Sequence, residues 1–159
     1  MNLERATIAA VVWFGLGIGV AANSSGRAHE DEIATFNKKY REMHLNMDTQ
    51  GIFETWAEDG VDLMPGEAPI IGKKAIVAWV EAILAKLPGH RVTTQDMEFH
   101  DIHVSGDWAS EWAFEHQIVR APDDRPSFDG HGKLLLVLHR EKDGNWRIKR
   151  EMWNQGIKP

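Results

Sequence analysis

Residues 131–155 read HGKLLLVLHREKDGNWRIKREMWNQ, two extended runs hinged on Asp143-Gly144-Asn145. An Asp-Gly step between apolar, alternating segments is a strong short-range signal for a β-hairpin. Working back toward the N-terminus, the Pro122 to Ser127 loop and the Gly106-Asp107 pair join two further runs of the same kind. The reading therefore places four strands near residues 91–104, 107–120, 131–141 and 146–155. Strands joined by consecutive short turns pair antiparallel, because parallel neighbours need a crossover of a dozen or more residues.

Before residue 90 the hydrophobic period changes. Ile33, Phe36, Tyr40, Met43 and Met47 recur at steps of three and four, one stripe of an amphipathic helix that starts near Glu30. Asp48 and Thr49 are suited to cap a short second helix carrying Ile52, Phe53 and Trp56, closed by Gly60. An extended segment, Val61 to Met64, stops at Pro65-Gly66. A third helix from about Lys73 to Leu87 gathers Ile76, Trp79, Val80, Ile83, Leu84 and Leu87 on one side before Pro88-Gly89 breaks it. Helices first and hairpins afterwards predict an α+β chain: three N-terminal helices packed on a curved, mostly antiparallel sheet that forms a cone.

The chain of 159 residues, 43% hydrophobic and 26% charged, suits one core. Its formal charge of −6 has no basic block to compete for a phosphate backbone, so nucleic acid is not an expected partner. Cysteine is absent, which excludes disulfides and thiolate chemistry. Ala6 to Ala22 is uncharged and follows Arg5, as in a secretory signal, with small residues placing cleavage after Ala22 or Ala28. The reading is a signal peptide over 1–28, a domain over 29–159 without a membrane segment once the signal is removed, and a periplasmic or secreted destination.

Side-chain direction in the strands selects the candidate pocket. In the last strand Trp146, Ile148, Arg150, Met152 and Asn154 share one face, apolar at first and polar toward the end. In the central strand Trp108, Ser110, Trp112, Phe114, His116 and Ile118 share another, and this aromatic face is taken as the inner one. A single β-bulge would exchange the faces and bring Glu111 and Glu115 inside. Leu135, Val137 and Trp153 are then expected on the outer face.

The segment 39–65, KYREMHLNMDTQGIFETWAEDGVDLMP, resembles the beginning of ketosteroid isomerases and SnoaL-like polyketide cyclases. IIGKKAIVAWV at 70–80, GDWA at 106–109 and the ending DGNWRIKREMWNQG are similar to further elements of the same nuclear transport factor 2-like superfamily, so the resemblance covers roughly residues 30–156. It implies a cystatin-like cone, frequent homodimers, and pockets used for isomerisation, cyclisation, dehydration, epoxide opening or binding. By gapless comparison the oxyanion tyrosine of the isomerases falls on Tyr40. The position of their aspartate base holds Met64, whose thioether accepts no proton near neutrality, so classical ketosteroid isomerase chemistry is not expected. The strand block also resembles the association domain of calcium/calmodulin-dependent protein kinases, which implies a non-catalytic assembly module as the alternative.

The candidate catalytic residues are Tyr40 and His116, the second because imidazole titrates near neutrality. Ligand-binding candidates are Met64, Trp79, Trp112, Arg150, Met152 and Asn154, with Arg150 suited to hold a carboxylate or to pair with Glu111 or Glu115. The expected ligand is a small apolar or weakly acidic molecule, and no cofactor is implied. No metal is expected either. His100 and His103, an odd number apart, would point to opposite faces of a regular strand, and His131 and His139 would share a face about 26 Å apart. A cut after Ala28 would expose His29 as a terminal amine and imidazole, with no second histidine tied to it. No GxSxG element accompanies Ser105, Ser110 or Ser127.

Overall fold

The computed structural model describes residues 21–157, with side chains from residue 28. The apolar part of the expected signal thus lies outside the described residues, apart from its last two positions. The elements run α1 (Ala21–Leu45), α2 (Thr49–Thr55), β1 (Trp56–Leu63), β2 (Ile70–Ile71), α3 (Lys73–Leu84), β3 (Arg91–Ser105), β4 (Trp108–Arg120), β5 (Pro126–Arg140) and β6 (Trp146–Gly156). The expected α+β order is present. Both expected cleavage points fall within α1.

The six strands make one sheet in the order β2-β1-β6-β5-β4-β3, antiparallel except where β1 runs beside β6. Asp48 caps α2 by accepting from the Gly51 backbone N–H at 3.0 Å. Gly60 does not close that helix; it lies inside β1, which begins as early as Trp56. The stripe of α1 is buried as its spacing predicts, with Ile33, Phe36, Tyr40 and Met43 at most 8% exposed. It packs into one core with Leu134, Leu136 and Leu138 of β5, Ile148 of β6, and Ala109 and Ala113 of β4.

Those alanines overturn the expected register of β4. The buried set is Ala109, Glu111, Ala113, Glu115 and Val119, while Trp108 and Ser110 are exposed and Trp112, Phe114 and His116 only partly covered. Ala109 and Ala113 join the core beneath α1, and the aromatic side chains occupy the other face, where Trp112 stacks on His100 at 4.3 Å between ring centroids.

Register shifts interrupt the other strands too, and two of them decide which side chains share a face. Between β5 and β6 the pairing passes from Leu138↔Ile148 to Val137↔Arg150, which leaves Lys149 as an extra residue. Trp146 and Ile148 therefore point inward, and beyond the bulge it is Glu151 and Trp153 that do so. Between β3 and β4 the pairing jumps from His100↔Trp112 to His103↔Ser110, at Asp101 with its φ of +49°. His100 and His103 thus share a face, contrary to the regular-strand expectation. Asp101 also accepts from Trp112 Nε1 at 2.6 Å, which fixes the bulge to the strand beside it.

Candidate functional site

The cone encloses a cavity of about 310 Å³ between α1, α3 and the inner sheet face. That size is near the lower end of small-molecule sites. Its apolar wall comes from Ile76, Trp79, Val80, Ile83 and Leu84 of α3, Val92 and Met97 of β3, Val119 of β4, and Met64 beyond β1. The helical spacing of α3 turns one whole face toward the sheet, so a single twelve-residue element supplies most of one side.

The polar groups gather where burial is deepest. Tyr40 is 1% exposed, Asp62 4%, Glu151 8% and Glu115 9%, and all four line the cavity. Asp62 and Glu151 are register partners across the parallel β1–β6 pair, which sets the two carboxyls side by side. Tyr40 and Glu151 are close enough in the cavity wall for each to perturb the ionisation of the other. Both oxygens of Glu115 are engaged, one by Gln95 Nε2 at 2.6 Å and the other by the Trp153 indole N–H. Gln117 in turn donates to Gln95 Oε1 at 2.6 Å. His44 Nδ1 lies 2.8 Å from the Tyr40 carbonyl oxygen, which can only accept. The ring proton therefore sits on Nδ1, and Nε2 is left as an acceptor.

Burial governs the protonation of these groups. It raises Glu151 well above the usual carboxylate range, and the neighbouring Asp62 charge pushes the same way. Burial likewise raises Asp62 to about 6 and lowers His44, favouring the neutral imidazole. Tyr40 is held far above the ordinary phenol value by burial and by the charge of Glu151. At neutral pH the site thus offers neutral donors in Tyr40 and Glu151 beside a carboxyl, Asp62, that exchanges its proton close to neutrality.

Among the residues expected from sequence, Tyr40, Met64 and Trp79 line this cavity. His116, Trp112, Arg150, Met152 and Asn154 lie on the opposite face of the sheet, because β4 has the reverse phase and the Lys149 bulge reverses β6. His116 Nε2 sits 2.9 Å from Asp129 Oδ1, and its ring stacks on His131 at 4.3 Å. Arg150 gives its protons to the Lys149 and Asp59 carbonyls instead of Glu111 or Glu115. No arginine or lysine among the described residues lines the cavity, so nothing there would hold a weakly acidic ligand through a salt bridge. Trp153, expected outside, is inside. Sequence reading missed Asp62, Glu151 and His44 and brought Glu115 inside only in the alternative β4 register, although Asp62 precedes Met64 by two residues, the period of a strand face. Among the described residues no three His, Asp or Glu side chains converge to hold a metal ion.

The sequence profile described as the SnoaL-like domain matches residues 37–147. No curated protein matches the chain in sequence. Among solved structures, a ketosteroid isomerase-like protein from Erwinia carotovora atroseptica superposes with a TM-score of 0.68 at 18% identity, over 81% of this chain and 96% of its own. A nuclear transport factor 2-like protein with a cystatin-like fold from Novosphingobium aromaticivorans gives 0.68 at 20% identity, over 90% and 94%. A protein from Catenulispora acidiphila, solved in complex with S-DNPA, gives 0.65 at 17% identity, over 81% and 94%. At these identities the likeness establishes the cone fold and leaves the chemistry to the residues of the cavity.

Proposed function

Because the chain belongs to the SnoaL-like domain family, we propose that it binds a small, mainly apolar molecule in the cone and moves a proton on it between Asp62 and the Tyr40–Glu151 pair. The observation that carries this reading is the meeting of Asp62, Glu151 and the sole tyrosine at the buried end of an apolar cavity. Met64 removes the acid from the position the isomerases use, and Asp62 restores one two residues earlier on the same wall. An acid and a base in one apolar site suit isomerisation or elimination at a carbon next to a carbonyl. The S-DNPA complex of the Catenulispora protein supports ligand binding in this fold.

The test is solvent hydrogen exchange, followed by NMR in D₂O, on a panel of small cyclic ketones and enones. Exchange that falls at least 100-fold in Asp62→Asn and Glu151→Gln, and persists in His116→Ala on the far face, supports the reading. Exchange that survives both carboxyl substitutions sinks it.

A second reading, assembly, is favoured by the uncovered outer sheet face. Trp112, Leu135 and Met152 stand opposite one another across three strands, and Leu135 and Met152 are 46% and 40% exposed. A homodimer through this face is compatible with an open cavity. Sedimentation of the native protein and of Leu135→Glu distinguishes a dimer that dissociates from a chain that was monomeric throughout. For the N-terminus we keep the reading of an export signal and a periplasmic or secreted destination, which N-terminal sequencing of protein recovered from each cell fraction checks.

A further inference from the structure

The side-chain donors around Glu115 are engaged within the cavity wall. Trp153 and Gln95 give their protons to Glu115, Gln117 gives to Gln95, and His44 Nδ1 gives to the Tyr40 carbonyl. The acceptors are in surplus. Asp62, 4% exposed, has an Oδ1 with no partner among the described residues, and Glu151 lies beside it across the β1–β6 pair. A buried acceptor left without a donor is costly, so a ligand that supplies a donor there gains by satisfying it.

The titratable groups facing this point are Tyr40 and His44 from α1, Asp62 from β1, Glu115 from β4 and Glu151 from β6. Among the described lining residues there is no lysine or arginine to balance the three carboxyls. An anionic ligand would meet like charge wherever these carboxyls are ionised. A metal ion is also unsuited, since among the described residues no three candidate ligands converge closely enough to bind one. What remains is a cation with several N–H groups spread over a larger radius, attached to an apolar body that fits against Trp79, Val80 and Ile83.

We propose that the cavity takes a primary or secondary alkylammonium ion, its nitrogen between Asp62 and Glu151 and its apolar body against α3. This deepens the small-molecule reading above and rests on it. The cation supplies the counter-charge that the carboxyls lack, so its binding favours their ionised forms. Affinity accordingly rises with pH from about 5 to 7.5, a range in which an alkylamine itself stays charged.

The test is isothermal titration calorimetry of the protein with 2-phenylethylamine, its neutral isostere 2-phenylethanol and the anion 3-phenylpropanoate. We expect the amine to bind at least tenfold more tightly than the alcohol at pH 7.5, to lose about tenfold on moving to pH 5, and to lose its advantage in Asp62→Asn. Should that variant fail to fold, the isostere and pH comparisons on the native protein decide. Alcohol or carboxylate binding as tight as that of the amine overturns the inference while leaving the small-molecule reading intact. No binding of any of the three at millimolar concentration rejects both.

Discussion

Replacing Glu111 by glutamine should make the protein more stable at alkaline pH and leave it unchanged in acid. Glu111 is 2% exposed within the core, where Asn37 Nδ2 donates to its Oε2 at 2.7 Å. Among the described residues, Glu111 Oε1 and Asn37 Oδ1 are both buried without a partner. A proton on Glu111 removes the buried charge, and burial raises the carboxyl from 4.5 to about 7. The folded state therefore holds the proton more tightly than the unfolded chain does. Stability from this group is complete below about pH 4.5 and is lost as pH rises through about 7. At about 1.4 kcal/mol per pH decade, the loss amounts to roughly 3 kcal/mol. Glutamine is neutral at every pH, and its amide oxygen accepts from Asn37 Nδ2 as the carboxyl does. Urea unfolding followed by tryptophan fluorescence from pH 4.5 to 8.5 should find Glu111→Gln within about 1 kcal/mol of the native protein at the acid end. At the alkaline end the variant should be about 3 kcal/mol more stable. Asp62 and Glu151 titrate in both proteins, so the difference between the two curves isolates Glu111. A difference that does not change with pH, or a variant less stable at pH 8.5, refutes the reasoning.

A Cβ added at Gly132 would lie 2.3 Å from Trp153 Nε1, and a rigid indole cannot yield as a flexible chain end can. Gly132→Ala should cost about 1–3 kcal/mol and pull Trp153 from Glu115, visible as a red-shifted emission; an unchanged melt and spectrum count against it. Leu136 is fully buried at the centre of the inner face, so Leu136→Ala should destabilise by about 2–5 kcal/mol in urea unfolding, and a loss below about 1 kcal/mol would move the core elsewhere. Tyr40→Phe removes the hydroxyl that favours ionised Glu151, so the Glu151 carboxyl ¹³C resonance should titrate at still higher pH, and a downward move contradicts the assignment.

The helical half of the fold was legible because its signals are local. The α1 stripe, the Asp48 cap and the apolar face of α3 depend on spacings of three and four residues that nothing distant disturbs. Turns flanking β4 and β6 were equally plain, and the limits of β3, β4 and β6 agree to within a residue, whereas β1 and β5 start earlier, at Trp56 and Pro126, and β2 was not anticipated. The parallel pairing of β1 with β6 left no sequence mark, since a long connection separates them.

The candidate site failed where phase had to be carried along a strand. Choosing the aromatic face of β4 as the inner one assumed that large side chains fill a core, yet a helix lying across a sheet needs small ones beneath it. The information was nearby: Leu134, Leu136 and Leu138 alternate unambiguously, and the hairpin sets them opposite Ala113, Glu111 and Ala109. Carrying that alternation across the turn would have put both glutamates inside. Lys149 is different in kind, because one unpaired residue moves Glu151 and Trp153 into the cavity and Arg150 and Met152 out of it. The sequence on either side of Lys149 is alternating and regular, so the bulge is fixed by the pairing of β6 with β5 and β1, and the acid at the centre of the site depends on that pairing.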